Sequence, residues 1–309
     1  TTMIEHPSIL EPFKSMEARG IVDVTYLKPD ADGIISPESV QEALRPETVL
    51  VSVGYANNEI GTIQDISKIS EIIRKFRESG IRSQELGNKK SIIPNSRFTI
   101  PYFHTDAAQA AQFLDMNVDS LGVDCMTLSA HKLYGPKGIG ALYMRNGIEL
   151  EPIMYGGGQE YGVRPSTQNV PLIAGFAKAI EIAEENKKNG ITDSIQEIRD
   201  YLLKKIMEIA PYAKLNGHQE KRLPNNINIS FPGHDAETML IGFSEEGICV
   251  SSGSACSSRS QKPSHVIQAL GKSESDIESS VRITIGKKTT KNDADAFIEV
   301  CSKLLYNKK

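Results

Sequence analysis

Met126-Thr127-Leu128-Ser129-Ala130-His131-Lys132 is a short apolar run that closes on a hydroxyl, an imidazole and an amine. It reads as a buried strand whose carboxyl end carries the polar groups. Upstream, a second strand runs to His104-Thr105-Asp106, and Val49-Leu50-Val51-Ser52-Val53, rich in β-branched residues and closed by Gly54, reads as a third. The loop Tyr55-Ala56-Asn57-Asn58-Glu59-Ile60-Gly61 follows. A helix is then expected with Asp65 as N-cap, because Ile66, Ile69, Ile73 and Phe76 recur at helical spacing until Gly80. Residues 81 to about 97 are polar and contain Gly87, Pro94 and Asn95, so they read as an exposed insertion. Strands alternating with helices at this spacing predict an α/β fold with a mostly parallel sheet flanked by helices, whose sites form at the carboxyl ends of strands.

Downstream, Leu172, Phe176, Ala179, Ile180 and Ala183 predict one long helix over 167–189, ended by Gly190. Beyond it come a helix (195–209), a strand (226–231), a helix (236–243), a loop (251–263), a strand (281–285) and a last amphipathic helix. The expected division is a large domain over 1–190 and a smaller α+β domain over 191–309.

With 309 residues, 39% hydrophobic and 24% charged, the chain can bury a substantial core. A net charge of −4 argues against nucleic acid as the main partner. No apolar run approaches the roughly 20 residues that span a bilayer, so no membrane partner is expected and the chain is expected to be soluble. Cys125, Cys249, Cys256 and Cys301 are too few and too scattered for a disulfide framework or a metal site, which points to a reducing cytoplasm. The first residue, Thr1, runs directly into what reads as domain interior, so further N-terminal sequence is expected.

Asp106 and Lys132 each close a strand, and in a parallel sheet both would face one crevice. An aldehyde cofactor needs an amine that can lose its proton, and a pyridine ring acting as an electron sink needs a carboxylate at its nitrogen. A surface salt bridge or a helix-capping aspartate would use the same two residues. Asn58 alone reads as a turn residue, His6 as a solvated cap, Thr167 as an N-cap and Cys256 as an ordinary free thiol. Cys256 lies among small and polar residues in Val250-Ser251-Ser252-Gly253-Ser254-Ala255-Cys256-Ser257-Ser258, whereas Cys125 has apolar strand neighbours and reads as inert. Arg282, inside the apolar run Val281-Arg282-Ile283-Thr284-Ile285, calls for an anion, either a ligand carboxylate or an internal salt bridge.

His104-Thr105-Asp106-Ala107-Ala108-Gln109 together with Ser129-Ala130-His131-Lys132-Leu133-Tyr134-Gly135-Pro136-Lys137-Gly138 closely resembles the cofactor core of cysteine desulfurases, the fold-type-I pyridoxal 5'-phosphate enzymes of iron-sulfur assembly. The resemblance runs from His6 nearly to the C-terminus. It implies a pyridoxal phosphate bound to Lys132 as a Schiff base, with Asp106 at the ring nitrogen, Gln109 and Asn58 at the ring oxygen or substrate, and Ser129 and His131 on the phosphate. It further implies that His6 stacks on the ring and moves protons, that Arg282 clamps the carboxylate of L-cysteine, and that Thr167 reaches the phosphate of a neighbouring subunit in a homodimer. Cys256 would take the sulfur as a persulfide and deliver it to an acceptor such as an iron-sulfur scaffold, touching a nascent cluster in passing, with no metal site of the chain's own. The segment before Pro263-Ser264-His265-Val266 resembles the longer, mobile-loop group of that family. The family has a further stretch ahead of His6 that carries a phosphate-binding Gly-Ala-Thr turn. Rival readings are a selenocysteine lyase, a related aminotransferase-like enzyme, and an inactive fragment that regulates an intact desulfurase.

Overall fold

The computed structural model describes residues 1–85, 100–253 and 263–306. In chain order the first half contains α1 (Pro7–Ala18), α2 (Pro37–Ala43), β1 (Leu50–Ser52), α3 (Ile66–Glu85), β2 (Tyr102–Asp106), α4 (Val118–Leu121), β3 (Cys125–Ser129) and β4 (Gly140–Met144). The second half contains α5 (Val170–Lys188), α6 (Ile191–Ile209), β5 (Lys214–Leu215), β6 (Asn226–Ser230), α7 (Ala236–Glu245), α8 (His265–Ala269), α9 (Glu274–Glu278), β7 (Ser280–Thr284) and α10 (Lys291–Tyr306). None of the described helices is long and apolar enough to cross a membrane.

The chain divides into two compact units. One comprises Leu44–Val53 and Ile66–Asn186, the other Thr1–Ala43, Gly54–Asp65 and Lys187–Lys309. In the first unit the sheet order is β1-β2-β3-β4, with β1, β2 and β3 parallel and β4 antiparallel at the edge. Alternation along β2 sends Phe103 and Thr105 into the core and leaves His104 and Asp106 half-buried on the opposite face. Ile66, Ile69 and Ile73 of α3 are buried at helical spacing. On α5 the buried Phe176, Ala179 and Ala183 cluster with Ala130 and Leu133, directly under the turn that follows β3. That turn is a 3-10 helix over Ala130–Leu133, so Lys132 sits three residues past the end of β3 rather than closing the strand. Small residues make the approach possible, since a Cβ on Gly135 would lie 3.0 Å from Ala179 Cβ.

In the second unit β5, β6 and β7 form an antiparallel sheet in that order, with β6 central and buried on both faces. Ile227 and Ile229 fill one face, and Asn226, Asn228 and Ser230 occupy the other, where burial obliges each to hydrogen-bond. Asn216 Nδ2 donates to Asn228 Oδ1 at 2.9 Å and Ser230 Oγ at 2.8 Å. Asn226 Nδ2 and Asn228 Nδ2 both donate to the Glu59 carbonyl, at 3.0 and 3.2 Å. The buried Arg222 gives Nη1 to Ile60 O at 2.6 Å and to Asn226 Oδ1 at 3.0 Å. Burial, with the nearby Arg199, lowers its pKa to about 10 against the opposing Asp32 charge, and the direct contacts of the guanidinium are with neutral oxygens.

These bonds explain why the unit is discontinuous along the chain. The 57–63 turn satisfies its buried polar groups on β6 and its neighbours, and Ile60 packs with Ile4, Val266, Ile267 and Leu270. Several local expectations also shift. α3 runs through Gly80 to Glu85, because a glycine facing open space weakens a helix without stopping it; of the expected insertion, 86–97 lies outside the described residues. α5 begins at Val170 rather than 167, α6 at Ile191 rather than 195, and the short strands β4 and β5 were not legible in the pattern.

Gly217 has φ +84°, and a Cβ there would lie 2.8 Å from Ile60 O and 2.7 Å from Thr62 Oγ1. Gly217→Ala is therefore expected to destabilise the protein by about 2–4 kcal/mol, combining left-handed strain with overpacking. Urea unfolding should show this loss, whereas Gly158→Ala, which faces open space, should leave the midpoint unchanged.

Candidate active site

In the first unit, parallel pairing sets Asp106 in register with Thr127, and Ala107 N–H donates to Thr127 O at 3.0 Å. Asp106 Oδ1 accepts from Ala108 N–H at 2.9 Å, which fixes the carboxylate at the start of the turn holding Gln109, itself half-buried. On the adjacent strand Ser129 is the last residue of β3, and its Oγ lies 2.9 Å from His131 Nδ1. Within the 3-10 turn Ala130 and Leu133 are buried while His131 and Lys132 are exposed, a spacing of three that presents imidazole and amine outward from an apolar base. Tyr134 adopts φ +60° and Gly135 N–H closes the turn on Ala130 O at 2.9 Å. Burial, then the Lys132 and Lys137 cations, hold the His131 pKa below the ordinary imidazole value.

Behind Asp106 lies a hydrogen-bonded row that sequence reasoning missed. Ser52 Oγ is 2.8 Å from His104 Nδ1, and His104 Nε2 is 2.8 Å from Thr127 Oγ1, so one imidazole spans β1 and β3 across β2. Burial lowers the His104 pKa and the Asp106 charge opposes that shift. The available signal was the i, i+2 spacing of His104 and Asp106 in a strand otherwise expected to be apolar.

Thr167 is exposed and precedes α5. The helix is capped by Asn169, whose Oδ1 accepts from Leu172 N–H at 3.3 Å, so the expected N-capping role falls to a different residue.

In the second unit His6 is the N-cap of α1. Ser8 N–H donates to His6 Nδ1 at 3.1 Å and Ser8 Oγ lies 2.7 Å from the same atom. With Nδ1 accepting from a backbone amide, the neutral ring carries its proton on Nε2. Capping and a chemical role are therefore compatible, because they use different nitrogens.

Neighbouring contacts pin this turn. The buried Glu5 carboxylate accepts from Gly54 N–H at 2.9 Å and Thr2 Oγ1 at 2.7 Å, Asn57 Nδ2 donates to Ile4 O at 2.8 Å, and His265 Nε2 donates to Glu5 O at 3.0 Å. Asn57 Oδ1 accepts from Glu59 N–H and Ile60 N–H at 2.8 and 3.0 Å, shaping the turn that holds Asn58. The Asn58 carbonyl takes Arg282 Nη1 at 3.1 Å. Arg282 N–H and O pair with Ser251 O and N–H at 2.6 and 3.1 Å. Asn58, Arg282 and Ser251, which opens the thiol-bearing segment, are thus brought together within this unit. Cys256 itself lies outside the described residues.

The other cysteines are not equivalent. Burial pushes the Cys125 thiol up to about 11, with Asp124 adding to the shift, and pushes Cys301 up to about 12, whereas Cys249 is exposed. Among the described residues no group of three or more His, Cys, Asp or Glu side chains is arranged to hold a metal ion.

Residues 1–81 and 91–297 match the aminotransferase class-V family. The chain is 40% identical over 311 aligned positions to cysteine desulfurase IscS of Clostridium botulinum strain Hall, covering all of this chain and 72% of that protein. Cysteine desulfurase IscS of Dictyoglomus turgidum is 39% identical, over 99% of this chain and 71% of its own length. Among solved structures, a NifS-like protein superposes with a TM-score of 0.84 at 31% identity, covering 98% of this chain and 73% of that one. SspA in complex with cysteine superposes with a TM-score of 0.69 at 34% identity, over 94% and 73% of the two chains.

Thiol burial yields a direct expectation. In the folded protein at mildly alkaline pH, iodoacetamide should label Cys249 within minutes and leave Cys125 and Cys301 unlabelled until denaturant is added, as read by peptide mass spectrometry. Rapid native labelling of Cys125 would contradict the burial that raises its pKa.

Proposed function

Because the chain belongs to the aminotransferase class-V family, we infer that it is a cysteine desulfurase, which uses pyridoxal phosphate to remove sulfur from L-cysteine and leave L-alanine. The observation that carries this reading is 40% identity across the whole chain to proteins of that activity. The retained amine, carboxylate and thiol-bearing segment favour it over a catalytically dead regulatory partner.

The residues of the first unit suit the cofactor. An exposed Lys132 amine, a half-buried Asp106 carboxylate with one oxygen held by Ala108 N–H, and a hydroxyl-imidazole pair at Ser129 and His131 match an aldehyde, a pyridine nitrogen and a phosphate respectively. When bound, pyridoxal phosphate supplies an aldehyde that captures amines and a ring that accepts electrons from substrate carbon. Lys132 would hold the cofactor through Nζ and, when that amine is free, would take up or return a proton there. Asp106 would keep the ring nitrogen protonated, and Gln109 and Asn58 would donate hydrogen bonds at the ring oxygen or substrate.

Arg282 clamps the substrate carboxylate, with Nη1 anchored on the Asn58 carbonyl. His6 would face the ring and would donate a proton from Nε2, since Ser8 occupies Nδ1. The Cys256 thiolate then attacks the substrate sulfur. A sulfur–sulfur bond forms, the carbon–sulfur bond breaks with its electron pair left on carbon, and that carbon takes a proton to give alanine. The persulfide on Cys256 passes to an acceptor thiol such as that of an iron-sulfur scaffold.

A homodimer in which Thr167 reaches the neighbour's phosphate accords with the exposed Ile153, Tyr155 and Tyr161 of the preceding loop. The same reading retains a cofactor-binding domain over 1–190, a smaller domain over 191–309 and a cytoplasmic location.

Cys256→Ser should reduce alanine formation from cysteine at least about a thousand-fold while the holoenzyme stays yellow, and Lys132→Ala should be colourless. Parent-level alanine release by Cys256→Ser would remove that residue from the reaction. Independently of turnover, adding the cofactor should raise the His131 pKa, because a phosphate anion favours the charged imidazole that Lys132 and Lys137 otherwise oppose. An NMR titration in which His131 does not move would remove it from the phosphate site.

A further inference from the structure

Glu59 belongs to the Asn57-Asn58-Glu59-Ile60-Gly61 turn, and the chemistry at Lys132 and Cys256 makes no direct use of its side chain. It is only 2% exposed, and a carboxylate at that depth is costly unless its contacts repay it. Its Oε2 accepts a hydrogen bond from Ser264 Oγ at 2.6 Å. The same oxygen faces Gly253, where a Cβ would come within 3.2 Å of it.

Gly253 and Ser264 are the two feet of the segment that carries Cys256, so one buried carboxylate meets the chain where that segment leaves and where it returns. Ser264 also caps α8 through Ile267 N–H at 3.2 Å, and the next residue, His265, donates to the Glu5 carbonyl beside His6. At its other end Glu59 is immobilised by its backbone, with N–H on Asn57 Oδ1 and O on Asn226 and Asn228. Its neighbour Asn58 receives Arg282, and Arg282 pairs with Ser251. The turn, Arg282, Ser251 and Ser264 thus form one hydrogen-bonded frame through Glu59, against whose carboxylate Gly253 packs.

We propose that Glu59 is a positioning residue for sulfur transfer, tying the feet of the Cys256-bearing segment to the turn that holds Asn58. The inference rests on the cysteine desulfurase reading. It makes the carboxylate matter for the step in which the thiol meets the substrate sulfur, and not for cofactor capture or for substrate binding at Arg282. Misplacement of a reacting group by about 1 Å can cost two orders of magnitude in rate.

The test uses the holoenzyme with cysteine as substrate. Glu59→Ala should lower kcat by about tenfold to a hundredfold with KM and cofactor colour unchanged. In a single turnover it should slow persulfide formation on Cys256 by the same factor. Glu59→Gln, which keeps an acceptor oxygen for Ser264, should recover most of the rate. Ser264→Ala should reproduce the kcat loss and Ser264→Thr should restore it, which keeps the test decisive if Glu59→Ala does not fold. The inference is overturned if Glu59→Ala or Ser264→Ala keeps the parent kcat, or if either raises KM at constant kcat. A parent enzyme that makes no alanine from cysteine would instead defeat the underlying reading.

Discussion

Parallel pairing of β1, β2 and β3 is the constraint on which the first unit depends. Parallel strands point their carboxyl ends to one edge, so residues that close neighbouring strands are gathered without any need for proximity in sequence. Asp106 and the Ser129–Lys132 turn meet at that edge for this reason. What holds the turn in place is apolar: Ala130 and Leu133 lie on Phe176 and Ala179 of α5, and glycine and alanine let the helix approach closely enough to serve as a floor. The exposed His131 and Lys132 are therefore displayed by a hydrophobic contact made by their own neighbours.

The second unit is organised by a different rule. β6 is covered on both faces, yet one face is Asn-x-Asn-x-Ser. Burying an amide without a partner is costly, and Asn226 and Asn228 recruit the Glu59 carbonyl, Asn216 and Arg222 into a polar seam. The 57–63 turn is bound to β6 through that seam, although a long stretch of chain separates them. In turn Asn58 offers its carbonyl to Arg282, so the guanidinium expected to need an anion is first steadied by a neutral acceptor.

Burial also sorts the thiols and imidazoles by reactivity. Cys125 and Cys301 are held protonated by desolvation, and His104 is held toward neutrality by the same cause while two hydroxyls fix its ring. His6 is constrained by hydrogen bonding: a backbone amide occupies one nitrogen and leaves the other to carry the proton.

Local periodicity and residue chemistry set the features that the sequence alone determined. The strand end at Asp106, the helical face of Phe176, Ala179 and Ala183 and the inert character of Cys125 are all carried by neighbours within a few residues, where backbone geometry leaves little choice. Only the tertiary structure decided that Lys132 stands on a 3-10 turn, that Asn169 rather than Thr167 caps α5, that His6 caps α1 through Nδ1, and that Glu59 and Arg222 are buried among carbonyls and hydroxyls. Those outcomes depend on which groups meet after long stretches of chain have closed on one another. Ser264 and Glu59 are 205 positions apart, and His265 and Glu5 are 260. A buried polar group accepts whichever partner packing delivers, and that choice is written in the whole fold.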